Sequence, residues 1–313
     1  MDGKTTIARW ASLLALAYLL ASLASGVFLA EVALHPGRRF LNADHEKAAR
    51  QLAARAKANL EDVSIVASAG AVLRAWSIQP QLRNGDSVIL LHGVSDNRMG
   101  TIGYAELLLT HGYGVLMPDS RAHGQSGGEI ATYGLIERDD IQQWIGWLKD
   151  HQRPRCVYGF GESMGAAQIL QALASQPGFC AVAVESPFAN FREVSYDRVG
   201  QFFQSHLLFG RIIMRPAVAI ALLYVEWKYG FDLNRVSPED AVAKSTTPVF
   251  LIHGKLDRTI PVWHSRRIQT RSPRVVLWEV PNADHCGAVG ADPEQFSRRL
   301  LAWFQPPSLN PAN

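Results

Sequence analysis

Apolar residues recur along this chain in three rhythms. From Ile7 to Leu34 the run is almost unbroken, and its only charges, Arg9 and Glu31, lie near its ends. Its interior, 10–30, is rich in Leu and Ala and, as a helix, long enough to cross a hydrocarbon core of roughly 30 Å. From Ala43 to Asn59 alanines dotted with charges predict a helix linking that segment to a globular part. Beyond Glu61 a third rhythm begins, in which short apolar runs alternate with helical periodicity.

Val63–Ala67 and Ala71–Ile78 flank Ser68-Ala69-Gly70 and predict a hairpin. After the turn Asn84-Gly85-Asp86, the run Ser87–Leu91 is continuously apolar, as expected of a strand buried on both faces. The same pattern fits Gly114–Met117, Cys156–Phe160, Ala181–Val184, Pro248–Ile252 and Val275–Val280. Helical patterns lie between most of them: Thr101–Thr110, Leu135–Lys149, Ser163–Ser175, Val262–Thr270 and Glu294–Phe304. Strands alternating with helices predict an α/β fold, a mostly parallel sheet of about eight strands covered on both faces. Function in such sheets gathers at the carboxyl ends of the strands.

One interval breaks the rhythm. Between Ser186 and Thr247 there is no buried-strand pattern, only amphipathic stretches with Phe202, Phe203, Phe209, Tyr224, Trp227, Tyr229 and Phe231. This predicts a helical cap inserted over the site. Arg211–Trp227 is strongly apolar, but Arg211, Arg215, Pro216 and Glu226 interrupt it and favour a lid helix over a second span. The expected organisation is therefore an anchor over 1–34, a helical linker over 35–60, a catalytic-type domain over 61–306 with the cap at 187–246, and a tail over 307–313.

Bulk properties add exclusions. The chain has 313 residues, 48% of them hydrophobic, and its net charge of +3 is too small to argue for a nucleic-acid partner. Three cysteines do not make a disulfide framework. There is no metal-ligand spacing and no glycine-rich phosphate loop, so neither metal nor cofactor is expected. The first apolar segment has a rival reading, a cleaved signal peptide with Ser22-Leu23-Ala24 at its cleavage site. The run continues past that point, which favours an uncleaved single-pass anchor through residues 7–34. Lys4 and Arg9 before it balance Arg38, Arg39, Lys47 and Arg50 after it, so the positive-inside rule leaves the membrane side undecided.

The chemistry centres on Gly161-Glu162-Ser163-Met164-Gly165, a G-x-S-x-G pattern between an apolar run and a helical one. A serine at a sharp strand-to-helix turn stands clear of the sheet at the positive end of the helix, and the flanking glycines let neighbouring elements approach. Its hydroxyl needs an adjacent base, and that base needs an orienting group. Asp257 follows the run 248–252, and His285 follows 275–280, in the order expected after such a serine. Ser163 is thus the candidate nucleophile, His285 the general base and acid, and Asp257 the orienting carboxylate. Asp284 is too close to His285 in sequence to meet its ring and reads as a turn residue. The expected oxyanion donors are the backbone N–H groups of Met164 and, in the loop after Leu91, Val94. His92 reads as a brace for that loop.

Leu91-His92-Gly93, Pro118-Asp119-Ser120-Arg121-Ala122-His123-Gly124-Gln125-Ser126, the segment around Ser163, Glu185-Ser186-Pro187-Phe188, His253-Gly254-Lys255-Leu256-Asp257 and Asp284-His285 together resemble the α/β-hydrolase superfamily. The resemblance is to its serine-aminopeptidase-like and monoacylglycerol-lipase-like branch, which includes membrane-anchored members. It covers about 63–304 and implies the α/β-hydrolase fold, with the Arg121-Ala122-His123-Gly124 turn structural. It implies esterases, lipases, thioesterases and peptidases as activities without choosing among them.

Three functions are therefore expected. The first is a serine hydrolase of carboxylic esters or thioesters of acyl or lipid-like substrates, favoured by the aromatic cap and the anchor. The second is an aminopeptidase-like hydrolase, which would need an acidic group in the cap, with Glu193, Asp197 or Glu226 as candidates. The third is a non-catalytic binding module. Cys156 and Cys180 open runs expected to be neighbouring strands, so they either pair as a disulfide of an exported domain or remain buried thiols. Cys286 reads as packing.

Overall fold

The computed structural model describes residues 3–202 and 207–305. In chain order its helices and strands are α1 Gly3–Leu34, α2 Ala43–Arg55, β1 Ala58–Val66, β2 Val72–Pro80, β3 Ser87–Leu91, α3 Ile102–Thr110, β4 Gly114–Pro118, α4 Glu137–His151, β5 Val157–Glu162, α5 Met164–Ala172 and β6 Ala181–Glu185. Then come α6 Phe191–Phe202, α7 Leu207–Ile212, α8 Arg215–Tyr229, α9 Pro238–Ala243, β7 Val249–Gly254, α10 Trp263–Gln269, β8 Val275–Val280, α11 Ala288–Ala291 and α12 Pro293–Trp303. They form two compact units: α1 with Phe191–Arg235, and Pro36–Asn190 with the chain from Val236 onward. Phe203 of the expected cap and the tail 307–313 lie outside the described residues.

The larger unit is built on an eight-stranded sheet of order β1-β2-β4-β3-β5-β6-β7-β8. β1/β2 and β2/β4 pair antiparallel, and every pair from β4 through β8 is parallel. The unbroken apolar runs are split by the pleat between two cores. Val88, Leu90, Tyr158, Phe160, Phe250 and Ile252 point to one face, covered by α2, α3 and α12. Ile89, Leu91, Val157, Val182, Val249 and Leu251 point to the other, under α4, α5 and α10.

The segment expected as a helical linker over 35–60 belongs, from Pro36 on, to this unit. Ala49, Leu52 and Ala53 of α2 are buried in the first core, and β1 starts at Ala58, pairing with β2 from Ala58↔Pro80 to Val66↔Val72. The alanine-rich pattern correctly announced a helix, but its apolar stripe packs onto the sheet.

In the smaller unit α1 and α8 lie side by side. Ser22, Gly26, Ala30 and Leu34, spaced by four, are buried. A Cβ at Gly26 would stand 2.7 Å from Ala217 O and Ile220 Cγ2, so only glycine permits this approach. The Arg211–Trp227 stretch is broken after Ile212 and resumes as α8 at Arg215, with Pro216 in its first turn where the missing N–H costs nothing. α1 is the one described helix long and apolar enough, over Thr6–Leu34, to cross a membrane.

Cys156 and Cys180, each one residue before adjacent parallel strands, form a disulfide. Thiol labelling of the denatured chain should find one reactive cysteine, Cys286, before reduction and all three after it. Replacing Cys156 and Cys180 by Ser should lower stability by about 3 kcal/mol, read as a shift in urea midpoint. Three thiols labelled without reductant would show that the bond does not form.

Candidate active site

The site grows from the register of the parallel strands. Leu91 pairs with Gly161, Glu162 with Glu185, and Glu185 with Ile252, so the strands end together at one edge. The residues just beyond them project from that edge: the His92 loop, Ser163, Ser186, Asp257 and His285.

Ser163 sits at φ 51°, ψ −110°, between β5 and α5. This left-handed backbone is costly for a serine and persists because its surroundings hold it. Its N–H donates to Glu185 O at 2.9 Å, tying the turn to β6. A Cβ at Gly161 would stand 2.6 Å from Gly165 C, and one at Gly165 would stand 2.4 Å from Leu91 O. Any other residue at either position would push α5 off the sheet.

The structure brings the three distant side chains together. His285 Nε2 is 2.9 Å from Ser163 Oγ, and His285 Nδ1 is 2.8 Å from Asp257 Oδ2. Asp257 Oδ1 accepts from the N–H groups of Thr259 and Ile260 at 2.9 and 2.8 Å. Burial opposes ionisation of Asp257, but hydrogen bonds from His253 and His285 outweigh it and hold the carboxyl far below the usual range. Asp284 is exposed, and its carbonyl accepts from Gly287 N–H in a turn.

Of the two expected oxyanion donors, Met164 is the first residue of α5, where helix geometry leaves its N–H without an intrahelical acceptor. Val94 follows Gly93, at which a Cβ would come 3.7 Å from Ser163 Cβ. His92 is fully buried. Its Nδ1 lies 2.7 Å from Gly93 O and its Nε2 accepts from Ser120 N–H, while burial lowers its pKa; it braces the loop as a neutral ring. Arg121 forks onto Asp140 and His123 Nδ1 meets Arg121 O, so that turn is held by its own contacts.

The sequence pattern does not predict a cluster found behind Ser163. Tyr104 Oη lies 3.1 Å from Glu162 Oε2 and 3.4 Å from Glu185 Oε2, and Ala288 N–H donates to Glu185 Oε1 at 2.8 Å. One hydroxyl has one proton, so both contacts are favourable only if one carboxyl is protonated. Burial raises both carboxyls to about 7, against the pull of Tyr104 on Glu162 and of Ala288 on Glu185. Glu185 thereby braces the start of α11, three residues after His285. The available signal was two acidic residues ending adjacent apolar strands; Tyr104 on α3 carried none. His253, whose Nε2 is 3.3 Å from Asp257 Oδ2 and whose Nδ1 is 2.7 Å from Ser265 Oγ, also went unassigned. Cys286 lies beside this cluster, its thiol pushed up by burial and its N–H directed at Ser186 Oγ.

A model of the alpha/beta hydrolase family matches residues 88–299. YqkD of Bacillus subtilis (strain 168) is 32% identical over 205 residues, covering 64% of this chain and 65% of that protein. The chain thus spans just under two thirds of that relative's length. YfhR of Escherichia coli (strain K12) is 26% identical over 263 residues, 81% of this chain and 83% of its own. Among solved structures, the esterase Pf2001 of Pyrococcus furiosus superposes with a TM-score of 0.65 at 25% identity, over 86% of this chain and 98% of that one.

The raised carboxyls make a signed prediction. Between their unfolded value of 4.5 and about 7 the folded protein binds protons that the unfolded chain releases. Their stabilisation is complete below pH 4.5 and is lost as pH rises through 7. At one pH unit per ~1.4 kcal/mol, the loss is on the order of 3 kcal/mol per group at most. Urea midpoints measured from pH 5 to 8 should fall for the native chain and fall less for Glu162→Gln with Glu185→Gln. Equal slopes would show that the pair holds no such proton.

Proposed function

Because the chain belongs to the alpha/beta hydrolase family, we propose that it is a serine hydrolase cleaving carboxylic ester or thioester bonds of acyl or lipid-like substrates through an acyl-enzyme. The observation that carries this reading is the Ser163–His285–Asp257 chain of contacts at 2.9 and 2.8 Å. His285 Nε2 takes the Ser163 proton as the oxygen attacks the acyl carbonyl carbon, and Asp257 stabilises the resulting imidazolium. The N–H groups of Met164 and Val94 receive the oxyanion. Collapse expels the alcohol or thiol, protonated by His285. Water, deprotonated by the same ring, then attacks the acyl group and releases the acid. The esterase likeness supports the substrate class.

The aminopeptidase-like reading needs a carboxylate in the cap to hold an amine. Arg211 engages both Glu193 and Asp197, and Glu226 is exposed on α8, which supports the acyl reading over it. We read α1 as a single-pass anchor. The Cys156–Cys180 bond supports placing the larger unit on the oxidising side of the membrane, since cytosolic thiols are kept reduced.

A fluorophosphonate should label the protein at Ser163, and p-nitrophenyl acyl esters should be hydrolysed faster than aminoacyl amides. Ser163→Ala should abolish labelling, and Asp257→Asn should lower kcat by roughly 10³–10⁴ with the fold intact. An unlabelled native protein would leave the binding-module reading in its place. A C-terminal alkaline phosphatase fusion should be active in cells, and an active cytosolic reporter at that position would reverse the proposed side.

A further inference from the structure

α1 is not uniform along its length. From Thr6 to Ala21 every residue is exposed, whereas beyond it Ser22, Gly26, Ala30 and Leu34 are buried and α8 lies alongside. At 1.5 Å per residue its 32 residues measure about 48 Å, some 18 Å more than a hydrocarbon core. α8 runs alongside α1: Tyr18 Oη donates to Ile213 O at 2.7 Å, in the break between α7 and α8. Glu31 accepts from Tyr224 Oη and Lys228 Nζ, both at 2.7 Å.

α8 is apolar on both sides. Ala217, Val218, Leu222 and Val225 are buried, yet Leu223 is 65% and Trp227 81% exposed on the opposite side, and Ile213 is 47% exposed at its foot. A helix apolar all round is at home in a protein core or in lipid, not half in water. The exposed side continues the apolar surface of α1, where Leu23, Phe28 and Val32 are each more than half exposed.

Resting on the reading of α1 as an anchor, we propose that the outward face of α8, with the α7–α8 break, is seated in the lipid bilayer beside α1, so that the cap is a membrane-embedded element and not only a tethered one. The break is built for that solvent. A carbonyl freed where a helix is interrupted has no water to bond in lipid, and Tyr18 supplies the donor to Ile213 O. Glu226 and Lys228 lie at the end of α8 away from the break, where a long side chain reaches headgroups while its stem stays in the apolar layer, and Arg215 is the α8 charge beside the break. A cap held this way meets bilayer acyl chains before it meets soluble esters.

The test uses the full chain in vesicles of phosphatidylcholine and phosphatidylglycerol, in a Cys286→Ser background. A polarity-sensitive fluorophore is attached at Leu223→Cys or Trp227→Cys, with Leu14→Cys on the span and Leu82→Cys on the larger unit as references. Retained fluorophosphonate labelling confirms folding. Labels at 223 and 227 should be quenched several-fold more by doxyl-labelled lipid than by aqueous iodide, matching 14 and opposite to 82. If 14 is lipid-quenched while 223 and 227 behave like 82, the proposal is overturned and the anchor stands. If 14 is also aqueous, anchor and proposal fall together, while hydrolysis at Ser163 is judged separately by its labelling.

Discussion

The backbone of Ser163 is the constraint on which the larger unit turns. A φ of 51° is held by one hydrogen bond to the end of β6 and by two glycines that let α5 press against β5 and β3. That geometry exists only because β3, β5 and β6 finish level with one another. A one-residue slip of β5 would exchange Tyr158 and Phe160 for Val157 and Gly159 between the two cores, so burial on both faces locks the register that aims the hydroxyl.

Around the serine, carboxyl groups of nearly the same chemistry are driven in opposite directions by their partners. Asp257 is buried but receives hydrogen bonds from two backbone N–H groups and lies against two histidine rings, and it stays ionised. Glu185 is more deeply buried, with only Ala288 N–H and a shared Tyr104 hydroxyl, and it is pushed toward the protonated form. The donors facing Asp257 outweigh its burial, whereas those facing Glu185 do not. The charge that can orient His285 is thus kept in front of the ring, while the carboxyls behind Ser163 are damped.

The smaller unit follows a different economy. Its helices meet through small residues and a polar clasp at Glu31, and they leave apolar side chains outward, the reverse of the larger unit, whose sheet is covered on both faces. Such an arrangement is reasonable for elements whose surrounding medium is itself apolar.

Much of this was legible in the residues. Continuous apolar runs separated by helical periods announced the parallel sheet, and β8 falls on Val275–Val280 as the pattern placed it. Ser163, Asp257 and His285 were readable because a turn motif and two loop positions after strands are local features. The fate of 35–60 was not, because a stripe of alanines reads the same whether it meets solvent or a sheet. Nor was the choice between disulfide and thiols at Cys156 and Cys180, which depends on the register that sets the starts of β5 and β6 level. The Glu162–Tyr104–Glu185 cluster joins a helix to two strand ends far apart in the chain. Sequence alone therefore determined which segments are strands, helices and the turns between them, since these arise from periodicity and nearest neighbours. Tertiary structure alone decided which carboxyls carry charge and which helices share a surface, because those depend on partners that only folding brings within a few ångströms.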